Sequence, residues 1–196
     1  MTYSIHGVAN IDYEPLFATL KTLQPLYRSE WGVDYWDTDR DEKEIDIKQK
    51  YSEQSVSYYQ YVDDVLLDFV PTDVIKKFSI DITNAEIKVI KYPPGSFTPP
   101  HVDRFNSLKK KHNLANTENI IRLWISLQKP TFGHALFFEH DVVHDVPQGT
   151  MITWDHGARH SACNAGLEDR YIMTITAVGK STYGGSRRNF RHTPSS

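Results

Sequence analysis

At 196 residues, with 39% hydrophobic and 12% aromatic side chains, the chain is long enough for one domain with a sizeable core and too apolar to stay disordered. Its formal net charge of -3 offers no basic field for nucleic acid, and nowhere does it hold the run of about 18 apolar residues that a membrane span needs. One cysteine, Cys163, excludes an internal disulfide and a cysteine-rich zinc site; with no signal-peptide pattern in residues 1–6, a reducing cytoplasm is the expected location.

Residues 1–80 read as helical and mixed. Over 13–27, Leu16, Phe17, Leu20, Leu23 and Leu26 recur at roughly helical spacing. Over 56–70, Tyr58, Tyr61, Val62, Val65, Leu66, Phe69 and Val70 do the same. Pro71 breaks that run, and Asp73 is placed to cap a short helix through Phe78. The charge-dense stretch 37–50 reads as a solvated loop. Beyond Asp81 the texture changes to short β-rich runs separated by turn residues: 85–92, 120–128, 135–139, 150–154, 160–164 and 170–178. In 120–128, Ile121, Leu123, Ile125 and Leu127 alternate with Arg122, Trp124, Ser126 and Gln128. Many short strands with turns, Pro147-Gln148-Gly149 among them, suggest a sandwich or a jelly roll. Residues 1–183 are expected to form one domain, with a helical segment over 1–80 and a β-core over 85–178. Residues 184–196, with Arg187, Arg188 and Arg191, read as a flexible basic tail.

Seven of the nine histidines lie between 101 and 160. His101 and Asp103 stand two residues apart, so a short extended strand could offer an imidazole and a carboxylate to one ion. Two histidines and one carboxylate on one face of an octahedron leave three positions open, the pattern of non-haem Fe(II) oxygenases. His160 is the best third ligand, and His156 is its rival. His134, His140 and His144 read as polar rim residues, with His134 best placed to face a pocket. Cys163 reads as core packing. Lys109, Lys110 and Lys111 fall in a long connection, either a solvated loop or a feature that attracts an acidic substrate.

Tyr92-Pro93-Pro94-Gly95 precedes the triplet, with Tyr92 nine residues before His101, and Arg170 follows His160 by ten. In this order and spacing the residues resemble the Fe(II)/2-oxoglutarate dioxygenases, most closely their prolyl 4-hydroxylase-like branch, over residues 85–178. The resemblance implies a double-stranded β-helix (a jelly-roll, cupin-like core) with flanking N-terminal helices. It implies His101, Asp103 and His160 as iron ligands, Arg170 as the clamp on the distal carboxylate of 2-oxoglutarate, and Tyr92 as a second cosubstrate contact through its hydroxyl. A guanidinium fork suits that carboxylate because it pairs bidentately and stays charged when buried. A narrower similarity joins 117–127, with Pro130 and Gly133, to the aspartyl/asparaginyl β-hydroxylase branch, where the arginine matching Arg122 contacts 2-oxoglutarate. Two departures weigh against it: Trp124 stands where that branch has histidine, and Asp103 where it has glycine. Strand alternation puts Arg122, Trp124 and Ser126 on one face as possible cosubstrate contacts; a buried Arg122 would need either a bound carboxylate or an acid elsewhere in the barrel.

The resemblances together imply Fe(II), 2-oxoglutarate and O2 as cofactor and cosubstrates. The expected substrate is a prolyl, asparaginyl or aspartyl residue of a protein, or a free amino acid or other small molecule, with release of succinate and CO2. A non-catalytic or isomerase-type metal-binding cupin is the main alternative. A nucleic-acid demethylase is disfavoured: the position six residues past Arg170, where such enzymes carry a second arginine, is Thr176.

Overall fold

The computed structural model describes residues 3–27, 59–113 and 120–179. The expected loop 37–50 and the tail 184–196 lie outside them. The strands are β1 (Tyr3–Val8), β2 (Leu26–Tyr27), β3 (Tyr59–Tyr61), β4 (Ala85–Tyr92), β5 (Phe97–His101), β6 (Ile120–Ser126), β7 (His134–Phe138), β8 (Asp141–His144), β9 (Thr150–Trp154), β10 (His160–Asn164) and β11 (Arg170–Val178). Among the described residues three α-helices accompany them: α1 (Tyr13–Leu20), α2 (Thr72–Phe78) and α3 (Asn106–His112).

The strands form two antiparallel sheets. The larger has the order β1-β9-β6-β11-β4-β3-β2, the smaller β5-β10-β7-β8. Counted from β4, the core of the large sheet holds the sixth, third, eighth and first strands, and the small sheet the second, seventh, fourth and fifth. Apart from the β7–β8 hairpin, which lies wholly in the small sheet, successive strands alternate between the sheets in the Greek-key winding of a jelly roll. The chain is therefore mainly β, a double-stranded β-helix.

Alternation along each strand builds two cores from one sheet. Ile87 and Val89 of β4, Ile121, Leu123 and Ile125 of β6, and Met173 and Ile175 of β11 face outward and pack with Leu16, Leu20, Leu66, Val74 and Phe78 of the flanking helical layer. The intervening residues face inward: Ile90 and Tyr92, Trp124, Ile152 and Trp154, and Ile172 meet Leu136 and Phe138 of the small sheet. Burial on both faces is what a central jelly-roll strand requires.

The N-terminal third departs from the helical expectation. Helix α1 ends at Leu20 and Leu26–Tyr27 is strand, because Pro25 lacks an N–H and drives its predecessor out of helical backbone. The helix expected over 56–70 is absent from its described residues. Tyr59–Tyr61 pairs with β4 instead, and Asp64–Phe69 forms a 3-10 helix capped by the Asp63 carboxylate, which accepts from the Val65 amide at 2.9 Å. The aromatic residues that mimicked a helical stripe are good β-formers with an edge to pair with. Asp73 does not cap α2: Pro71 is its N-cap, and Asp73 sits in the first turn, where its charge suits the helix dipole. Strand β1, which pairs Tyr3 with Trp154, was not expected. Lys109, Lys110 and Lys111 lie on α3 rather than in a loop.

Candidate metal centre

Antiparallel pairing brings the two histidines together. His101 ends β5, His160 begins β10, and they are register partners with ring centroids 4.3 Å apart. Asp103 stands just past the end of β5. Its Oδ1 lies 3.8 Å from His101 Nε2 and its Oδ2 3.7 Å from His160 Nε2. One ligand atom from each of the three fits within 4.8 Å of the others. His160 is buried, and its Nδ1 lies 3.0 Å from the Ala158 carbonyl, which can only accept. The proton therefore sits on Nδ1, and the Nε2 lone pair faces the other ligands. Burial holds the His160 pKa below the usual imidazole range despite the pull of Asp103, so the ring stays neutral, as a ligand must. Burial pushes the Asp103 carboxyl up, but the Arg122 guanidinium first, then the neighbouring His160 and His101, and the Trp154 hydrogen bond hold it down at about 2. Two imidazoles and an ionised carboxylate are a donor set that can hold a divalent metal.

His156 is not part of the cluster. Its Nε2 donates to the Ile120 carbonyl at 2.5 Å and its ring meets Phe105 edge-on. His144 pairs with Asp145 at the surface, at 2.8 Å, and His140 lies in an exposed turn. His134 is half-buried on the inward side of β7, hydrogen-bonded to the Thr131 hydroxyl; burial and the nearby Arg170 charge lower its pKa. The Cys163 thiol lies 3.7 Å from the Gly133 carbonyl. Gly133 itself is required: it has φ +93°, and a Cβ there would meet the backbone of Gly166 at 2.2 Å.

Arg170 begins β11 opposite Tyr92 and is 5% exposed. Its Nη1 donates to the carbonyls of Ala135 at 2.7 Å and Cys163 at 2.6 Å. The guanidinium lies over the rings of Trp124, at 5.4 Å, and Tyr92, at 5.7 Å. No carboxylate stands within ion-pair distance of it among the described residues. Burial alone lowers its pKa, and a guanidinium stays charged through such a shift.

The other expected contacts divide. Tyr92 is buried beside Arg170, with its hydroxyl 2.6 Å from that of Thr98. Arg122 does find an acid in the barrel, its Nη2 lying 3.5 Å from Asp103 Oδ1, while its buried Nε has no hydrogen-bond partner. Ser126 is buried and turns its hydroxyl to the Gln128 carbonyl at 3.1 Å. Trp124 is 3% exposed, and its Nε1 has no hydrogen-bond partner. Its register partner Thr174, also 3% exposed, has an unpartnered hydroxyl.

Three inward residues, Glu86, Lys88 and Trp154, went unread in the sequence, and Thr174 was read only as a small residue on the face of Arg170. Lys88 is buried and lies 3.0 Å from Glu86, both on the inward side of β4. Charges two apart in an apolar strand were the available signal. Thr174 shares the inward face of β11 with Arg170. Trp154 donates from Nε1 to Asp103 Oδ2 at 3.1 Å, and its ring lies 4.5 Å from that of His160. Nothing local marks Trp154 in the sequence, because Asp103 is 51 residues away and across the barrel.

No family model matches the chain, and no curated protein matches it. Solved structures do. A predicted oxalate decarboxylase of Thermotoga maritima shares 15% identity over 62% of this chain and 81% of its own, with a TM-score of 0.39. A cupin 2 conserved barrel domain protein from Salinispora arenicola shares 14% over 48% and 63%, at 0.34. An uncharacterized conserved protein with a double-stranded β-helix domain from Klebsiella pneumoniae shares 18% over 48% and 68%, at 0.34. Likeness at this level carries no argument about activity; the strand order of the chain's own sheets establishes the jelly roll.

Proposed function

We propose that the chain is an Fe(II)- and 2-oxoglutarate-dependent oxygenase that hydroxylates an amino-acid side chain, in a protein or peptide or in a free small molecule. The observation that carries this reading is Arg170: a buried guanidinium, inward-facing, with two carbonyl acceptors and no described acid beside it. A buried cation is costly without an anion, and a dicarboxylate held at the triad by its keto-acid end would bring one. On the inner face of the large sheet the Trp124 indole N–H and the Thr174 hydroxyl are also without partners, and buried polar groups are otherwise hydrogen-bonded.

In this reading His101, Asp103 and His160 hold the iron, Arg170 anchors the distal carboxylate, and Trp124 and Thr174 hydrogen-bond the cosubstrate between them. Arg122 steadies Asp103, and the rings of Tyr92 and Trp124 sandwich the guanidinium and keep water from it. Bound iron supplies the oxidising chemistry, in which 2-oxoglutarate, O2 and a substrate C–H become succinate, CO2 and an alcohol. The test is succinate release with Fe(II) and 2-oxoglutarate across peptides and free amino acids. Arg170→Ala should raise the 2-oxoglutarate requirement steeply while Fe(II) affinity stays unchanged. Truncating one partner of a buried charge pair costs about 2–5 kcal/mol, or roughly thirty- to several-thousand-fold at about 1.4 kcal/mol per decade. Arg170→Lys should fall between, keeping charge without the fork.

A second reading draws on the two carbonyls that Arg170 already satisfies. They let it serve as a brace between β7 and β10 in a non-catalytic or isomerase-type cupin. Such a protein would release no succinate, and Arg170→Ala would then lower stability without touching any 2-oxoglutarate response.

A further inference from the structure

Asp103 is the one triad member on irregular backbone. Strand β5 ends at His101, and α3 begins only at Asn106, after Phe105 with φ 55°. No strand ladder holds the Asp103 carboxylate in place, so its orientation has to come from what touches it. Trp154 touches it from the end of β9, which is flanked by β1 and β6 and paired with both, so the indole stands on a rigid base. Phe138 packs edge-on against the indole, with centroids 5.8 Å apart, and stacks on Tyr3 at 4.6 Å. Trp154 itself is 5% exposed.

We infer that Trp154 is a positioning residue for the metal centre, which sets Asp103 and His160 relative to each other. One side chain reaches both ligands: its N–H takes a lone pair of Asp103 Oδ2, and its ring lies against the His160 imidazole. An indole offers a single donor and no acceptor. It therefore occupies one lone pair of Oδ2 and disfavours chelation through both oxygens. A carboxylate that gives the ion one oxygen leaves more of the coordination sphere to exogenous ligands than one that gives two. Hydrogen-bonded partners of this kind typically change metal affinity by about 10–100-fold when removed.

The inference rests on the metal-binding aspect of the proposed function and not on 2-oxoglutarate, so its probe is Co(II) alone with the full chain. Trp154→Phe keeps an aromatic ring against His160 and removes the N–H. Co(II) affinity should fall at least about tenfold, and the visible Co(II) spectrum should change as the carboxylate changes its binding mode. The metal-free protein should melt somewhat below wild type, because a buried hydrogen bond and part of a buried ring are lost, so affinity is compared well below the melting temperature. Affinity within a factor of about two of wild type, with an unchanged spectrum, would overturn the inference. If Trp154→Phe does not fold, the wild-type chain decides the matter. With Zn(II) bound, the assigned Trp154 indole proton should exchange slowly with solvent and shift on loading; fast exchange in the loaded protein overturns the inference. A wild type that binds Co(II) but releases no succinate removes the oxygenase reading and leaves this one standing.

Discussion

On its outer face the large sheet presents Ile87, Val89, Leu123, Ile125, Met173 and Ile175 to the helical layer, and every one is buried against carbon. On the inner face the same strands present Glu86, Lys88, Arg122, Trp124, Arg170 and Thr174, a set with charges and unpartnered polar atoms. One residue of displacement along a strand moves a side chain from one environment to the other. The outer face supplies the apolar burial that holds the chain folded, at roughly 25 cal/mol per Å². That margin lets the inner face keep groups that burial penalises. The sheet therefore separates stability from chemistry, and substitutions on its two sides should have different signatures.

The largest effect should come from the triad. His101→Ala or Asp103→Ala should abolish Fe(II) binding and turnover while the fold survives, since the outer core does not involve either residue. Calorimetry showing wild-type Fe(II) affinity in both variants would remove the metal centre from its assigned place. The next effect lies across the sheet. Leu123 is fully buried, and Leu123→Ala should cost about 2–5 kcal/mol of stability. Metal affinity measured well below the melting temperature should not change. A large loss of metal affinity there would show that the two faces are coupled.

Thr174→Val sharpens the contrast further, because its two consequences have opposite signs. The unpartnered hydroxyl is a liability in the metal- and ligand-free protein, where an unsatisfied buried polar group costs about 1–3 kcal/mol. Valine has nearly the same shape, so the variant should melt at a higher temperature while binding 2-oxoglutarate more weakly. A variant that gains stability and loses nothing in 2-oxoglutarate binding would assign Thr174 to the fold alone.

How much of this was legible in the sequence follows from the range of the interactions. The β-core could be read because alternation in 120–126 and the turn at Pro147-Gln148-Gly149 are local signals. His101 and Asp103 declare themselves by their spacing and His160 by its place ten residues before Arg170, and a strand pairing sets the two histidines side by side. Part of the N-terminal segment was misread because Tyr61 fits a helical stripe as well as a strand until an edge of β4 is available to pair with. Arg122 was left between a ligand and an internal acid, and Asp103 is the acid the fold brings to it. Trp154 was invisible because it acquires its role from a partner across the barrel, a distance no periodicity encodes, and Thr174 was legible only as a small residue on the face of Arg170, since nothing local marks a hydroxyl that burial leaves without a partner.

The smallest effect expected is that of His156→Ala, and it separates two histidines four residues apart. His156 donates from Nε2 to the Ile120 carbonyl and rests edge-on against Phe105, whose ring also lies 5.4 Å from the Arg122 guanidinium. It thus secures the start of β6 and the residues leading into α3, without approaching the triad. Losing one hydrogen bond of this kind costs about 0.5–1.5 kcal/mol. The variant should therefore melt slightly below wild type and keep Fe(II) affinity and a measurable rate. His160→Ala should reverse the pattern. It removes a triad ligand whose Nδ1 is held by Ala158, so metal binding should vanish. Removing the buried ring also leaves a void beside Trp154, so that variant should lose some stability as well. If His156→Ala instead loses the metal while His160→Ala retains it, the third ligand has been assigned to the wrong histidine and the pairing of β5 with β10 does not build the site.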